Sequence, residues 1–422
     1  MKILWLCNIV PVMLAEKIGM EKPFDGGWIS SGLKAMKEQG ELEIAVCFPQ
    51  TISRKVLVGQ TEGIQYYGFP PTKCPEEQYD RKLEDTLKNI ISDYQPDIVH
   101  IWGTEYAHSL AMAKKWAQPE RTICSIQGVC AAIAENYRAG IPKKVVYGYT
   151  LRDLCRLDNV RRREKSFLRR ARLEKETLSL VQHVIGRTEF DKESSRKVNP
   201  KAQYHYCSET LRDSFYIKEN SWQYEKCEKH TIFVSSSYYP LKGFHRVLKA
   251  MPNVLQSYPD AKVYVVGNDP RKLPFYRMSK YYQYVKNLIN RLKLGEKVIY
   301  LGWLSEKDMC EQFLKANVFV SASSMENSSN SIGEAMLLGM PVVASCVGGT
   351  KDILSDKKEG YLYPSDNVSL MAKYICKVFE MKESAKDLGN KAYERATKLY
   401  DRQHNVECLK QIYENVYEEV KG

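Results

Sequence analysis

Residues 323–349 read SSMENSSNSIGEAMLLGMPVVASCVGG, and how they are read decides the fold. Glu326 and Glu334 stand with seven residues between them, beside a short amphipathic run. Gly339 and Pro341 close that run, and an apolar stretch follows that ends in Gly348-Gly349. This is a loop, a helix and the next strand of a parallel sheet, with Val318–Ser321 as the strand before it. Ser331 and Glu334 fit the S-x-x-E capping box, so Glu334 has a purely structural reading as a helix cap. Glu326 lies outside the helix, where no capping role is open to it.

Working outward, short apolar runs alternate with longer amphipathic ones along the whole chain, the signature of parallel α/β units. Strands are expected near Ile3–Cys7, Glu43–Cys47, Asp97–Ile101, Thr122–Ile126 and His183–Ile185. A second series is expected near Thr231–Ser235, Lys262–Val266, Val298–Leu301, Val318–Ser321 and Val342–Ser345. The segment Ile217–His230 has no apolar period and reads as a linker. The expected domains are 1–216, 231–400 and a closing helix, 401–422, free to pack back on the first domain. Two doubly wound, Rossmann-like halves facing across a cleft place ligands beyond the carboxyl ends of their strands.

Composition narrows the classes. The chain has 422 residues, 44% hydrophobic, with six tryptophans, which excludes a disordered or fibrous protein. Twelve cysteines without a C-x-x-C pair suit reduced thiols and a cytoplasmic setting. Lys2 before ILWLCNIVPVML imitates a leader peptide, but Asn8 and Pro11 break the run, and a buried first strand explains it better. No stretch reaches the ~18 apolar residues that span a bilayer.

The segment VSSSYYPLKGFHRVLKAM, residues 234–251, is a second strand-loop-helix turn, with Lys242-Gly243 at the helix start. A lysine there opposes the helix dipole unless an anion compensates, and backbone N–H groups with an ammonium make a phosphate site. The bland alternative is a surface lysine. Carboxylates beside a phosphate site repel phosphate and suit vicinal hydroxyls, since an ionised carboxylate only accepts hydrogen bonds. A sugar nucleotide offers two diols with a diphosphate between them, and residues 327–331, with Asn330 and Ser331 at the helix start, offer backbone N–H groups to that diphosphate.

At this point the chain resembles the retaining glycosyltransferases of family four, which have the GT-B fold. The resemblance rests on E-x7-E followed by AMLLGMPVVASCVGG, on MKILWLCN with Asp25-Gly26-Gly27, on PDIVHIWGTE and on YLGWLSEKDMCEQFLKANVFVSAS. YYPLKG, HVIGRTEFD and ENSSNSIGEAM are most like bacterial capsular and cell-surface polysaccharide enzymes. It implies that Glu326 serves the donor sugar, Glu334 the ribose diol and Lys242 the diphosphate. Gly26 and Gly27 would approach the diphosphate from the first domain, and Gly302 lies in the nucleotide-side segment. Ser237 stands where the family usually has arginine, and Gln127 where it usually has histidine. Arg187 is a candidate replacement cation. His100, at the end of its strand, reads either as a catalytic group or as a core histidine.

The resemblance implies no metal and no cofactor beyond the donor, a UDP-sugar by default and a GDP-sugar second; no D-x-D occurs in the chain. The acceptor is a glycan or lipid-linked glycan hydroxyl. The rival readings are a sugar-nucleotide epimerase on the same fold and a catalytically silent sugar-nucleotide-binding subunit. The net charge of +12 is concentrated: residues 142–175 hold twelve Lys and Arg against four Asp and Glu. Within it, residues 161–175 read as a solvated helical face or as a contact with an anionic membrane. No RNA-binding signature accompanies them, so nucleic acid is not an expected partner. The expected location is cytoplasmic, with peripheral contact on the inner membrane face as the alternative.

Overall fold

Runs of Val, Ile and Phe that are buried on both faces become central strands of parallel sheets. The computed structural model describes residues 1–21, 27–40, 42–71, 77–219 and 221–421. The chain divides into two compact units. Met1–Cys130, Leu168–Leu211 and Tyr400–Gly422 form the first; Ala131–Phe167 and Arg212–Leu399 form the second.

Among the described residues, the first unit carries an eight-stranded sheet. Its strands are β1 (Lys2–Cys7), β2 (Glu43–Pro49), β3 (Leu57–Thr61), β4 (Ile64–Phe69), β5 (Ile98–Trp102), β6 (Thr122–Ser125), β7 (His183–Gly186) and β8 (Gln203–Tyr206). They lie in the order β3-β4-β2-β1-β5-β6-β7-β8. Leu83, Leu87 and Leu110 cover one face with Leu4 and Val99; Ile29, Leu33, Val406 and Tyr413 cover the other with Ile3 and Trp5. The closing helix, Arg402–Lys421, is therefore part of this unit's core.

The second unit's described strands are β9 (Thr231–Val234), β10 (Lys262–Val265), β11 (Val298–Tyr300), β12 (Val318–Ser321), β13 (Val342–Ser345) and β14 (Tyr361–Tyr363). Their order, β11-β10-β9-β12-β13-β14, is that of the doubly wound dinucleotide fold, with the switch point between β9 and β12. Ile232 and Val234 point into a core built with Val247, Met251, Ile375 and Phe379. Phe233, between them, points the other way and meets Phe313 at 4.7 Å.

Two boundaries differ from the sequence expectation. Residues 131–167 belong to the second unit, because Tyr137, Ile141, Val145 and Val160 enter its core. Nor is 217–230 a free linker. Trp222 is buried, its backbone N–H donating to Leu338 O at 2.7 Å and its Nε1 to Ala316 O at 2.8 Å. Strands β3, β4, β8 and β14 lie outside the expected series. β3 alternates half-buried and exposed residues and runs antiparallel to β4 at the sheet edge. Glu62 and Gly63 join the two with φ of 51° and 76°, as a two-residue hairpin of the right twist requires.

Candidate functional site

In the second unit the loops after β9 and β12 leave the sheet on the two sides of its switch point, and glycines let them interlock. Gly243 has φ 69°, and a Cβ added there would sit 1.8 Å from Ala322 O. Gly348 has φ 49°, and its Cβ would sit 2.0 Å from Glu326 O. Ser324 N donates to Leu241 O at 2.7 Å, and Gly349 N to Glu326 O at 3.1 Å. The backbone after β12 is thus held from both sides. Gly243→Ala combines left-handed strain with a clash against backbone, and should lower stability by roughly 2–3 kcal/mol in chemical denaturation. An unchanged midpoint would mean that the two loops are not coupled.

These loops bring Lys242 and Glu326 together. Lys242 Nζ donates to Glu326 Oε1 at 2.6 Å, and Ser323 Oγ donates to the same oxygen at 2.6 Å. Glu326 Oε2 takes no bond among the described residues. Desolvation disfavours the Lys242 ammonium, but the Glu326 charge outweighs it and holds the lysine pKa above its ordinary value. The lysine side chain keeps 29% of its surface exposed and the glutamate 11%, so the pair is reachable from solvent. Around it, Ser236 Oγ, Ser324 Oγ and Asn330 Oδ1 are buried without a hydrogen-bond partner among the described residues. Buried polar atoms are rarely left so, and a cluster of them at strand ends marks a place where a polar ligand fits.

Glu334 does not cap its helix. The helix runs Asn330–Leu337 with Ser329 at its N-cap and no side-chain cap bond, so Ser331 already lies inside the first turn. Glu334 is instead buried and receives both prongs of Arg212, Nε to Oε1 at 2.6 Å and Nη2 to Oε2 at 2.7 Å. Burial disfavours charge on both partners: it raises the Glu334 pKa above its usual value against the pull of Arg212, while the Glu334 charge holds the Arg212 pKa above its own. Asn330 and Ser331 supply the first-turn N–H groups that an α-helix leaves without an internal partner.

Ser237 is fully buried, its Oγ donating to Val266 O at 3.0 Å. A Cβ added at Gly267 would lie 2.9 Å from that oxygen, so the glycine backbone packs directly against Ser237. Gly302, with φ 74°, accepts from Gly267 N at 2.9 Å and turns the chain at the end of β11. It is followed by Trp303, whose ring meets that of Tyr238 at 5.8 Å, both rings about half exposed. The sequence reading missed this aromatic pair and Arg212; a solvent-facing tryptophan after a strand-ending glycine was the available signal for the first.

The first unit holds the remaining predicted residues. His100 is a core group. It is fully buried, with Nδ1 at 2.5 Å from Tyr413 Oη and Nε2 at 2.7 Å from Ser125 Oγ, and burial pushes its pKa down to about 3. The catalytic reading of His100 is therefore dropped, because both ring nitrogens are spent inside the fold. Gln127 and Arg187 do come together, at the ends of β6 and β7, through Glu209. Gln127 Nε2 donates to Oε1 at 2.9 Å and Arg187 Nη1 to Oε2 at 2.5 Å. Arg187 is thus neutralised within the first unit and is not a loose replacement for the arginine absent at Ser237. Gly27 opens the helix Gly27–Gln39, while Asp25 and Gly26 lie outside the described residues. No group of His, Cys, Asp and Glu among the described residues is arranged to hold a metal ion.

Residues 217–395 match the family model described as glycosyl transferases group 1. Over this stretch the chain is similar to the group 1 glycosyltransferases. The matched stretch contains Lys242, Glu326 and Glu334, and the whole chain has the two-domain GT-B fold. A putative glycosyltransferase, YtcC of Bacillus subtilis, is 25% identical over 209 residues, covering 49% of this chain and 50% of the relative. The chain spans about half the length of the curated relatives it matches. Sucrose-phosphate synthase from Thermosynechococcus elongatus superposes with a TM-score of 0.70 at 16% identity, over 99% of both chains. HepE of Anabaena, solved in complex with UDP-glucose, superposes with a TM-score of 0.65 at 15% identity, over 100% of this chain and 99% of that one.

Proposed function

We propose that this protein is a retaining glycosyltransferase of cell-surface polysaccharide synthesis. It moves a sugar from a nucleoside diphosphate donor to a hydroxyl of a glycan or lipid-linked glycan. One observation carries the reading: the Lys242–Glu326 pair spans the switch point of the second unit's sheet, among orphaned polar atoms. A lone ion pair needs no such surroundings; a diphosphate flanked by hydroxyls does. HepE has been solved with UDP and with UDP-glucose, which supports a uridine donor here. Protein CapJ of Staphylococcus aureus, 28% identical over 137 residues, supports the polysaccharide setting.

Each residue has a part in the chemistry. The Lys242 ammonium and the first-turn N–H groups of Asn330 and Ser331 take the negative charge that grows on the departing diphosphate. Glu326 Oε2 accepts from hydroxyls of the transferred sugar and fixes its orientation. Glu334 accepts from the ribose diol through lone pairs that Arg212 leaves unused, and the Arg212 charge favours its carboxylate form. Trp303 and Tyr238 offer a flat aromatic surface to the base. The acceptor attacks from the face that the diphosphate leaves, which retains the anomeric configuration.

A ligand that binds only the folded state raises its melting temperature in proportion to occupancy. UDP-sugars should therefore give the largest shift in a thermal panel of uridine and guanosine nucleotides and their sugars. If no nucleoside diphosphate or its sugar shifted melting, the donor reading would fail. Conversion of donor in the absence of any acceptor would instead indicate an epimerase.

A further inference from the structure

Next to the basic helical stripe of residues 161–175 the structure offers a second candidate for membrane contact. Arg163 is bound to Asp158, Arg169 Nη2 to Glu77 at 2.6 Å, and Arg170 lies over the Tyr106 ring at 5.0 Å. Two of that stripe's eight cations are thus spent in ion pairs, while Arg161, Lys165, Arg172 and Lys175 stay exposed. The helix just before it, Leu151–Arg156 in the second unit, has its polarity reversed. Leu151 and Leu154 are 58% and 54% exposed, Leu157 at its C-cap is 60% exposed, and Asp153 is completely buried.

This reversal is locked in place. Asp153 accepts from the N-cap Thr150 N–H and from Lys280 N at 2.8 Å, while Thr150 Oγ1 accepts from Asp153 N, a complete capping box. Turning the leucines inward would break all three bonds. The helix packs on the turn Phe275–Arg277, where Phe275 and Tyr276 are 73% and 56% exposed. Exposed apolar residues are common singly, but five on two packed elements mark an interaction face.

Charge identifies the partner. Lys143, Lys144 and Arg156 are exposed beside these residues and form no ion pair among the described residues, whereas nearby Asp158 and Glu164 are committed to Arg152, Arg163 and Arg138. Next to the helix opens a cavity of about 680 Å³ lined by Lys144, Lys249, Lys280 and Arg291, with no carboxylate in its wall. Lys280 belongs to both features, its backbone fastened to Asp153 and its side chain in the cavity. Burial and the neighbouring Arg246 and Arg291 hold the Lys249 pKa below the usual lysine value, a repulsion that a bound anion relieves.

We propose that Leu151, Leu154, Leu157, Phe275 and Tyr276 form a docking face for an anionic lipid bilayer, with the basic cavity receiving phosphate headgroups. Apolar side chains rimmed by lysine and arginine match the acyl-headgroup boundary of such a membrane. A second copy of the chain is a poorer occupant, because it would set one basic rim against another. The inference uses none of the donor-site residues and does not rest on the donor reading.

Co-sedimentation of the full chain with phosphatidylcholine vesicles, with and without phosphatidylglycerol, tests it. Binding should require phosphatidylglycerol and weaken at high salt. Leu151→Gln with Leu154→Gln should weaken it about tenfold or more at unchanged melting temperature. Lys144→Gln with Lys280→Gln should reduce both binding and its salt dependence, whereas Arg169→Gln should change little. The proposal is overturned if the chain ignores anionic vesicles, or if the leucine variant binds as the parent does. It is equally overturned if the parent forms dimers in sedimentation velocity that the leucine variant abolishes, which would make the face an interface between copies. Inorganic phosphate that stabilises the parent but not the lysine variant, without competing for vesicles, would assign the cavity to a soluble phosphate and refute its headgroup role.

Discussion

Glu334→Gln should cost the second domain about 3 kcal/mol of stability, because breaking a buried ion pair leaves the surviving Arg212 charge with chiefly the weaker influence of Glu306 to offset it. Glu334 keeps only 4% of its side-chain surface exposed, and both of its oxygens are held by Arg212. Glutamine has nearly the same shape but presents one acceptor and no charge. Arg212 retains 22% exposure and recovers some hydration, which places the cost at the low end of the ~3–5 kcal/mol seen when such pairs are broken. Urea denaturation of the free protein measures it. Arg212→Met on the Glu334→Gln background should recover part of the loss, since removing both charges is far cheaper than removing one. A ribose ligand that played no part in folding would behave differently: stability would hold and only nucleotide affinity would fall. That second outcome would show that the Arg212 contact contributes little.

The Glu334 case also shows what a sequence can reveal and what it conceals. The strands Val318–Ser321 and Val342–Ser345 were legible because both faces of each are buried, so their composition is uniformly apolar or small. The turn residues Gly243, Gly348 and Gly349 were legible as turns, and with them the placement of Lys242 and Glu326 at strand ends. Strand β8, QYHY, was hidden because none of its residues is buried, so its composition carries no apolar signal. The partners were hidden for another reason. Arg212 precedes Glu334 by 122 residues, and Glu209 follows Gln127 by 82, distances at which no spacing rule operates. The local S-x-x-E pattern pointed to a cap at Ser331, but the chain enters its helix two residues earlier, at Ser329, and tertiary pairing took the carboxylate. His100 was ambiguous in principle, since the same strand-end position serves a catalytic or a core imidazole. Tyr413, from the other end of the chain, and Ser125, from the next strand, decide between them together.

Lys242→Ala and Glu326→Gln should separate where one interaction holds two residues together before the donor arrives. In the free protein Glu326 occupies the ammonium that the diphosphate needs. Removing the lysine deletes a charge-assisted contact to phosphate worth roughly 1.5–3 kcal/mol, so UDP affinity should fall about 10- to 150-fold. Uridine, which has no phosphate, should bind as before. Removing the carboxylate has the opposite consequence for the bare nucleotide. Lys242 no longer has to leave a partner, and UDP should bind at least as tightly to Glu326→Gln as to the parent. Transfer should nevertheless fall, by about the same 10- to 150-fold, because the sugar loses the charged acceptor that orients it. Titration calorimetry with uridine, UDP and a UDP-sugar, alongside transfer rates, measures all four quantities. If both variants lost UDP affinity to the same degree, the pair would be acting as a brace between the two loops. The double variant distinguishes this case: a brace broken once is not broken further, whereas independent contacts to phosphate and sugar give losses that add.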